Sequence, residues 1–446
     1  MELQYGLESP IDARKTAAYG LQHMILFIAN SAIMPVIIAQ SLGLGAQAVS
    51  EMLLRTLFLD GVLSIIQVRF GHRMPIIEGP SGMWMTVWIN LAALTSALGG
   101  DLAALRGSLQ LGMVISGVIV ILLGLSGMMK YVAKLFTPLV GGVFLILMPI
   151  QLSRSMIQGM LGTVFGAEAP DKLSFAAFWI TVIAMVLINV FATPFLKSIA
   201  ILIGVAIGWV FAVCVGTAGG VSLSQAGSFF VLPQPFAWGA PQLDPGVLIT
   251  CIVGSFLLFA NVIAAFVGTA DLVGMEFTDK RLNRGTMSFG VSTLMTGVFP
   301  TIGFTVFVTS MGIIRMTGVA TRKPFYVGCA IMIVLGVIRP VGLFFAAIPP
   351  SVGYGALLVL FAVILKQGVD SLVREHLTER KGLALGISML VGTGIMMQPF
   401  TIFEHLPQIA VPFVSNGLLV GTFLAIVLEQ ILKERNGARQ SGENVV

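Results

Sequence analysis

Long apolar runs recur from Thr16 to Leu432, with little between them that a soluble domain could occupy. No other feature of the chain limits its fold so strongly. In hydrocarbon every backbone N–H and C=O must be satisfied inside the protein, which leaves helices and closed barrels as the only spanning structures. Runs of helical length point to one all-α polytopic membrane unit. The composition agrees, being 57% hydrophobic and only 10% charged, against about 25% charged in soluble domains. The first run follows Arg14 and Lys15 and lacks a small-residue cleavage site, which favours a retained helix over a signal peptide and a cytoplasmic N-terminus. Cys214, Cys251 and Cys329 lie in or beside apolar stretches without metal-ligand spacing and read as small packing residues. The net charge of +5 fits basic loops against anionic lipid, so a lipid bilayer is the expected partner and nucleic acid is not.

Fourteen spans are expected. The first seven are Thr16–Gln40, Ala48–Val68, Pro75–Ala97, Leu109–Met128, Thr137–Leu152, Phe175–Phe195 and Ile199–Val215. After a Gly-, Ser- and Pro-containing stretch come Val247–Thr269, Thr286–Phe299, Ile302–Ile314, Phe325–Phe345, Val352–Leu365, Gly382–Met397 and Ile409–Leu432. The positive-inside rule tests this order, because alternate loops then collect Lys and Arg. With the N-terminus inside, 19 of the 25 basic residues fall on cytoplasmic segments, from Arg14 and Lys15 through Arg73, Lys197, Arg322 and Lys381 to Arg439. Arg55, Arg106, Arg154, Lys172, Arg315 and Arg339 are the remainder, and the long central outer loop holds no Lys or Arg. Both termini are therefore expected in the cytoplasm.

A seven-plus-seven division inverts the second half, because an odd number of spans makes it enter from the opposite face. The expected units are a first repeat over residues 1–216, an extracytoplasmic connection over 217–245, a second repeat over 246–432 and a cytoplasmic tail over 433–446. The third span opens with Met74-Pro75-Ile76-Ile77-Glu78-Gly79-Pro80-Ser81-Gly82, and its counterpart, the tenth, with Phe299-Pro300-Thr301-Ile302-Gly303. Interrupted segments at matching positions point to a midplane site lined by exposed backbone groups; ordinary kinks are the other reading.

Ionisable side chains in hydrocarbon need a partner, a water-filled cavity or a role. Glu78, in the broken third span, either titrates and accepts hydrogen bonds from a ligand, or pairs with Arg73 or caps a half-helix. His23, beside Gln22 in the first span, either joins a coupling network or fixes helix packing. Arg55 and Asp60 pair with each other or with neighbouring helices and receive no transport role. Asn261 and Asp271 lie in or just beyond the eighth span, with Asp271 as a gate or helix-end contact, and Thr309 and Ser310 lie in the tenth. No Walker loop, His/Cys metal cluster or nucleophile–His arrangement is present. The chain thus reads as no enzyme, and as needing no cofactor beyond a gradient of a coupling ion.

Four motifs in order carry a family resemblance. They are Tyr19-Gly20-Leu21-Gln22-His23, the run from Lys197 to Gly204, the run Ile348-Pro349-Pro350-Ser351-Val352-Gly353-Tyr354-Gly355, and Val414-Ser415-Asn416-Gly417-Leu418-Leu419-Val420-Gly421. Together they resemble the nucleobase/ascorbate transporter family (nucleobase:cation symporter 2), the uracil and xanthine permeases, and within it a divergent purine-permease-like branch. The family signature in the tenth span is matched at Gly312, Thr317 and Gly318, whereas Thr309 and Ser310 replace its polar pair. In the eighth span the family's binding Glu maps onto Asn261, followed by Ala264, Thr269 and Asp271. An ionised Glu accepts two hydrogen bonds, while Asn offers one neutral acceptor and an NH2 donor.

The resemblance implies a fourteen-segment inverted repeat with core and gate subdomains, the core being spans one to four and eight to eleven, and short broken segments three and ten. It also implies a homodimer, a plasma (inner) membrane location and proton-coupled uptake of a nucleobase, a purine before a pyrimidine, with sodium as the other coupling ion. The expected substrate-binding residues are Glu78, Gly79, Ser81, Gly82, Asn261, Ala265, Thr309 and Ser310. Glu78, His23, Gln22 and Asp271 are expected to couple protons or support the site. An anion carrier or exchanger of the same fold and a non-transporting membrane sensor are the competing readings.

Overall fold

A computed structural model describes residues 3–164, 169–216, 228–375 and 377–432. In chain order its helices are α1 (Ala13–Ser31), α2 (Ile33–Ser41), α3 (Ala46–Phe70), α4 (Gly82–Ala97), α5 (Leu102–Ser126), α6 (Met129–Val132), α7 (Pro138–Leu161), α8 (Lys172–Phe191), α9 (Pro194–Ser198) and α10 (Ala200–Cys214). They continue with α11 (Pro245–Leu257), α12 (Phe259–Leu272), α13 (Asp279–Val298), α14 (Ser310–Thr317), α15 (Arg322–Leu335), α16 (Arg339–Ala346), α17 (Pro350–Arg374), α18 (Glu379–Met396), α19 (Val411–Val414) and α20 (Gly417–Ile431). The expected tail lies outside the described residues, as do residues 217–227 of the expected connection.

Among the described residues, Ala13–Ser41, Leu102–Ser126, Pro138–Leu161, Lys172–Phe191, Pro245–Leu272 and Pro350–Arg374 are long and apolar enough to cross a membrane. Large apolar side chains such as Phe191 and Leu390 point outward, as lipid rather than water requires. The helix starts follow local chemistry. Asp12, Asp101, Asp171, Asp244 and Asn416 each accept a hydrogen bond from a backbone N–H in the first turn. At Asp171, outside the membrane, the Ser174 hydroxyl and the Ser174 and Leu173 N–H groups hold the carboxyl below the usual carboxylate range.

The expectation of a wholly helical chain needs one correction. Two three-residue strands, β1 (Glu78–Pro80) and β2 (Phe304–Val306), pair antiparallel inside the protein, with Glu78 opposite Val306, Gly79 opposite Thr305 and Pro80 opposite Phe304. Each leads into a helix, β1 into α4 and β2, after three residues, into α14. Several expected continuous spans are also divided. The first breaks at Ala32, the eighth at Leu258, the eleventh between α15 and α16, and the last between α19 and α20.

Packing follows an exchange pattern. α3 lies on α15 and α13 on α5, while α1 lies on α15 and α11 on α5. α7 packs on α17, α8 on α10 and α18 on α20. The residues before α1 run as a strap over the end of α14, where the Tyr5 N–H donates to Gly318 O (3.0 Å) and the Ala320 N–H to Tyr5 O (2.8 Å). Arg322 holds the same strap through Glu8 at 3.2 Å. On the opposite side, Phe230 bridges to Ile338, and the Phe236 N–H donates to Val298 O at 2.7 Å.

Small residues permit the closest helix contacts, as is usual where lipid removes the hydrophobic drive between helices. A Cβ added at Gly117 of α5 would come within 2.4 Å of the Leu294 nitrogen in α13, and one at Gly290 within 2.6 Å of the Ile121 nitrogen. Gly117→Leu is expected to force α5 and α13 apart and cost about 2 kcal/mol or more, read as a lowered melting temperature of the purified protein in detergent. An unchanged melting temperature would contradict this packing.

Candidate functional site

The β1–β2 pair is the centre of the site, and its construction answers a backbone problem. Where a helix is interrupted inside a membrane, its N–H and C=O groups lose their partners. Here each interruption supplies the other. The Ser81 N–H donates to Gly303 O at 2.9 Å, and the Phe307 N–H donates to Ile77 O at 2.8 Å. In this alternation Glu78 and Pro80 face away from the partner strand, which suits a proline that has no N–H to give.

The groups that the pairing leaves over are met by side chains. The Glu78 N–H donates to Ser64 Oγ of α3 at 3.0 Å, and the Ile77 N–H to Ser310 Oγ at 2.9 Å. Asn261, in the first turn of α12, donates to Val306 O at 2.9 Å and to Thr305 Oγ1 at 3.0 Å. Just before β2, the Arg55 Nε donates to Pro300 O at 3.0 Å, and the Thr56 and Thr301 hydroxyls are bonded to each other. α3 and α12 thus clamp the strand pair from the two halves of the chain.

Glu78 is fully buried, and among the described residues neither carboxylate oxygen has a hydrogen-bond partner. Ser292 of α13 and Gln67 of α3 are the side chains that approach it, short of good hydrogen-bond geometry. Of the two open readings of Glu78, pairing with Arg73 is not what the chain does: among the described residues no cation forms an ion pair with it. Arg73 instead uses its carbonyl to accept from the Arg322 Nε at 2.9 Å.

The expected residues divide into those at the pair and those away from it. Gly79 lies in β1, Ser81 follows it and caps α4, and Gly82 begins that helix near Phe361 and Met148 of α17 and α7. Ala265 is buried one turn beyond Asn261, Ser310 is buried at the start of α14, and Thr309 beside it is exposed. His23 lies elsewhere: its Nδ1 is 2.8 Å from Tyr19 O and its ring meets Phe325 edge-on, a packing role against α15. Gln22 precedes it on α1, and Asp271 is exposed at the end of α12. Gly312 faces open space. Gly318, at φ 67°, caps the C-terminus of α14, where Thr317 Oγ1 accepts from the Val319 N–H at 3.1 Å. This left-handed position favours glycine on backbone grounds alone.

One polar face of α3 lies outside the expected site residues. Thr56, Asp60, Ser64 and Gln67 recur on one helical face of α3, and all are fully buried. Arg55 and Asp60 do not pair with each other, since Arg55 is taken by Pro300 O and neither Asp60 oxygen has a partner. His72, at the end of this face, accepts from the Met74 N–H through Nδ1 at 3.0 Å and packs on Phe266. The signal was legible as polar residues at intervals of four, four and three within an apolar helix.

The half-helices α4 and α14 begin beside the strand pair, and helix N-termini direct N–H groups and a partial positive charge outward. The Glu78 carboxylate and the Asn261 side-chain oxygen are the acceptors that this centre leaves without a hydrogen-bond partner among the described residues. Asn261→Ala is expected to release two hydrogen bonds to β2 and cost about 2 kcal/mol, measured by thermal unfolding. A loss as large from Asp271→Asn would contradict this assignment of roles.

Comparison with known proteins places the chain. Residues 14–401 match the family described as Permease family (Xan_ur_permease). The chain is 32% identical to "Putative purine permease YwdJ" of Bacillus subtilis over 96% of its own length and 97% of that protein. It is 26% identical to the xanthine permease of the same organism over 93% of each. Among solved structures, the transmembrane domain of a cyanobacterial bicarbonate transporter, BicA, superposes with a TM-score of 0.61 at 16% identity, covering 95% of this chain and all of that one. That likeness carries the fold alone.

Proposed function

The chain belongs to the Permease family (Xan_ur_permease), and on that premise we propose that it takes up a nucleobase, a purine before a pyrimidine, with a proton and by alternating access. It is an integral membrane transporter of that family and not an enzyme. The observation that carries the finer reading is the buried Glu78 carboxylate, without a cation partner among the described residues, beside the starts of two half-helices. An isolated carboxylate in hydrocarbon is costly when ionised, so its charge is tied to a transported cation or proton.

In this reading the base lies at the β1–β2 centre. Its ring N–H groups donate to Glu78 and to the Asn261 carbonyl oxygen, because the Asn261 amide hydrogens already hold β2. Its ring carbonyls accept from the N–H groups at the start of α4, after Ser81, while the first N–H groups of α14 are held by the Phe307, Val308 and Thr309 carbonyls and Thr309 contributes its hydroxyl. Ser310, committed to Ile77, positions α14. Protonation of Glu78 neutralises the site for the inward step.

The fourteen-segment, seven-plus-seven inverted repeat is part of the same proposal. It is supported by matching order: broken α1–α2, then α3, then β1–α4 in one half; broken α11–α12, then α13, then β2–α14 in the other. The exchange pattern of packing supports it too. Movement of this core against α7, α8, α10, α17, α18 and α20 would open the site to each side in turn. The distribution of Lys and Arg supports cytoplasmic termini in a plasma membrane, and a homodimer is the proposed assembly.

An anion carrier is the second reading, raised by the bicarbonate transporter's fold. A buried carboxylate at the centre repels an anion, and the full-length likeness at 32% identity is to a purine-permease-like protein. In liposomes holding the purified protein, labelled purines should accumulate under an inward proton gradient, with no loss when sodium is replaced by choline. Glu78→Gln should reduce accumulation to the level of empty liposomes while membrane insertion is unchanged. Unaltered gradient-driven uptake in that variant contradicts the role given to Glu78.

A further inference from the structure

α3 carries a second carboxylate that the reading above leaves unused. Asp60 is fully buried, and neither of its oxygens has a hydrogen-bond partner among the described residues. Its Oδ1 lies against β1, 3.1 Å from where a Cβ on Gly79 would stand, so a glycine there leaves the carboxylate room to reach the strand. The groups that face it from neighbouring elements are the Ser31 hydroxyl at the end of α1, Glu78 of β1 and the Cys329 thiol of α15. None is a cation. Ser31 Oγ is itself buried without a partner in good geometry.

The same helical face joins Asp60 to Glu78. Ser64, one turn on, is bonded to the Glu78 backbone, and Gln67, a further turn on, approaches the Glu78 carboxylate with both amide atoms otherwise unpartnered. Beyond Gln67, the His72 Nδ1 is occupied as an acceptor, which fixes the proton of the neutral ring on Nε2. Nε2 is also buried and unpartnered. The face therefore runs as a series of proton-accepting and proton-donating groups whose capacity the protein alone does not meet. Buried polar groups of this kind are completed by water or by an exchangeable proton.

We propose that Asp60 is a second proton-carrying group of the transport cycle, joined to Glu78 along the polar face of α3, so that the coupling proton passes between two carboxylates. This rests on the proposal that uptake is proton-coupled through Glu78. In the step, a proton leaves the Asp60 carboxyl oxygen for an intervening water as that water gives one to a Glu78 carboxylate oxygen. The charge of the pair is unchanged by the transfer. Release then follows past Gln67 and His72 toward the cytoplasmic end of α3. Two nearby carboxylates without a cation cannot both stay ionised, which makes the pair a single titrating unit.

The test compares wild-type protein, Asp60→Asn and Ser31→Ala in proteoliposomes loaded with labelled and unlabelled purine. Asp60→Asn is expected to lower the gradient-driven accumulation ratio at least tenfold, toward one, while counterflow exchange stays within twofold of wild type. Equal accumulation in wild type and Asp60→Asn overturns the proposal. If wild-type protein accumulates no purine, the symport reading fails instead, and infrared spectroscopy decides the role of Asp60 by itself. Removing the Ser31 hydroxyl should shift the C=O stretch of a protonated carboxyl group seen in the wild-type spectrum, and Asp60→Asn should change its titration with pH. A carboxyl band that neither substitution alters overturns the proposal, and Ser31→Ala keeps this arm open if Asp60→Asn fails to fold.

Discussion

The pairing of β1 with β2 is the contact on which the rest of the structure depends. Two interrupted segments inside a membrane would each leave backbone groups unsatisfied, at a cost of several kcal/mol per group. By pairing antiparallel, Ile77–Ser81 and Gly303–Phe307 satisfy each other. The same act brings the two halves of the chain together at one point, so that the ends of α4 and α14 meet there. The site is a consequence of solving the backbone problem. Ser64, Ser310 and Asn261 then meet the groups that the pairing leaves over, and each links this centre to a helix of the surrounding bundle.

The polarity of the interior follows from the same centre. Apolar side chains point to lipid, and the buried carboxylates Glu78 and Asp60 lie on either side of the β1 backbone next to α3. Arg55, the buried cation on that helix, is occupied by Pro300 O. Among the described residues neither carboxylate forms an ion pair. For a carrier this is a useful instability, because the energy of the site then depends on whether a proton is present. A cation fixed beside Glu78 would remove that dependence.

Much of this was legible in the sequence, for stated physical reasons. The Glu78-Gly79-Pro80 run and the Pro300 to Gly303 run announced interruptions, because proline and glycine break helices. Their matching positions announced that the interruptions belong together, and the quoted motifs announced the family. What was not legible was long-range. No proline or glycine marks the break at Leu258, and nothing local says that Ser310 accepts from Ile77 or that Asn261 directs both amide hydrogens to β2. His23 was open to a coupling role or a packing role, and its surroundings, Tyr19 O and Phe325, are known only once α1 packs on α15. Asp60 was passed over because Arg55 stood nearby in sequence. A separation of five residues turns the two side chains to different sides of the helix, and the periodicity of Thr56, Asp60, Ser64 and Gln67 was the better guide.

The central claim is that a neutral base and a positive charge enter together through the strand-pair centre. Current recorded from proteoliposomes on a solid-supported membrane tests this most directly. Adding a purine should drive positive charge into the liposomes, with a signal that grows as the external pH is lowered and disappears in protein lacking the Glu78 carboxylate. Charge movement of the opposite sign, or purine entry with no current at any pH, would contradict the account.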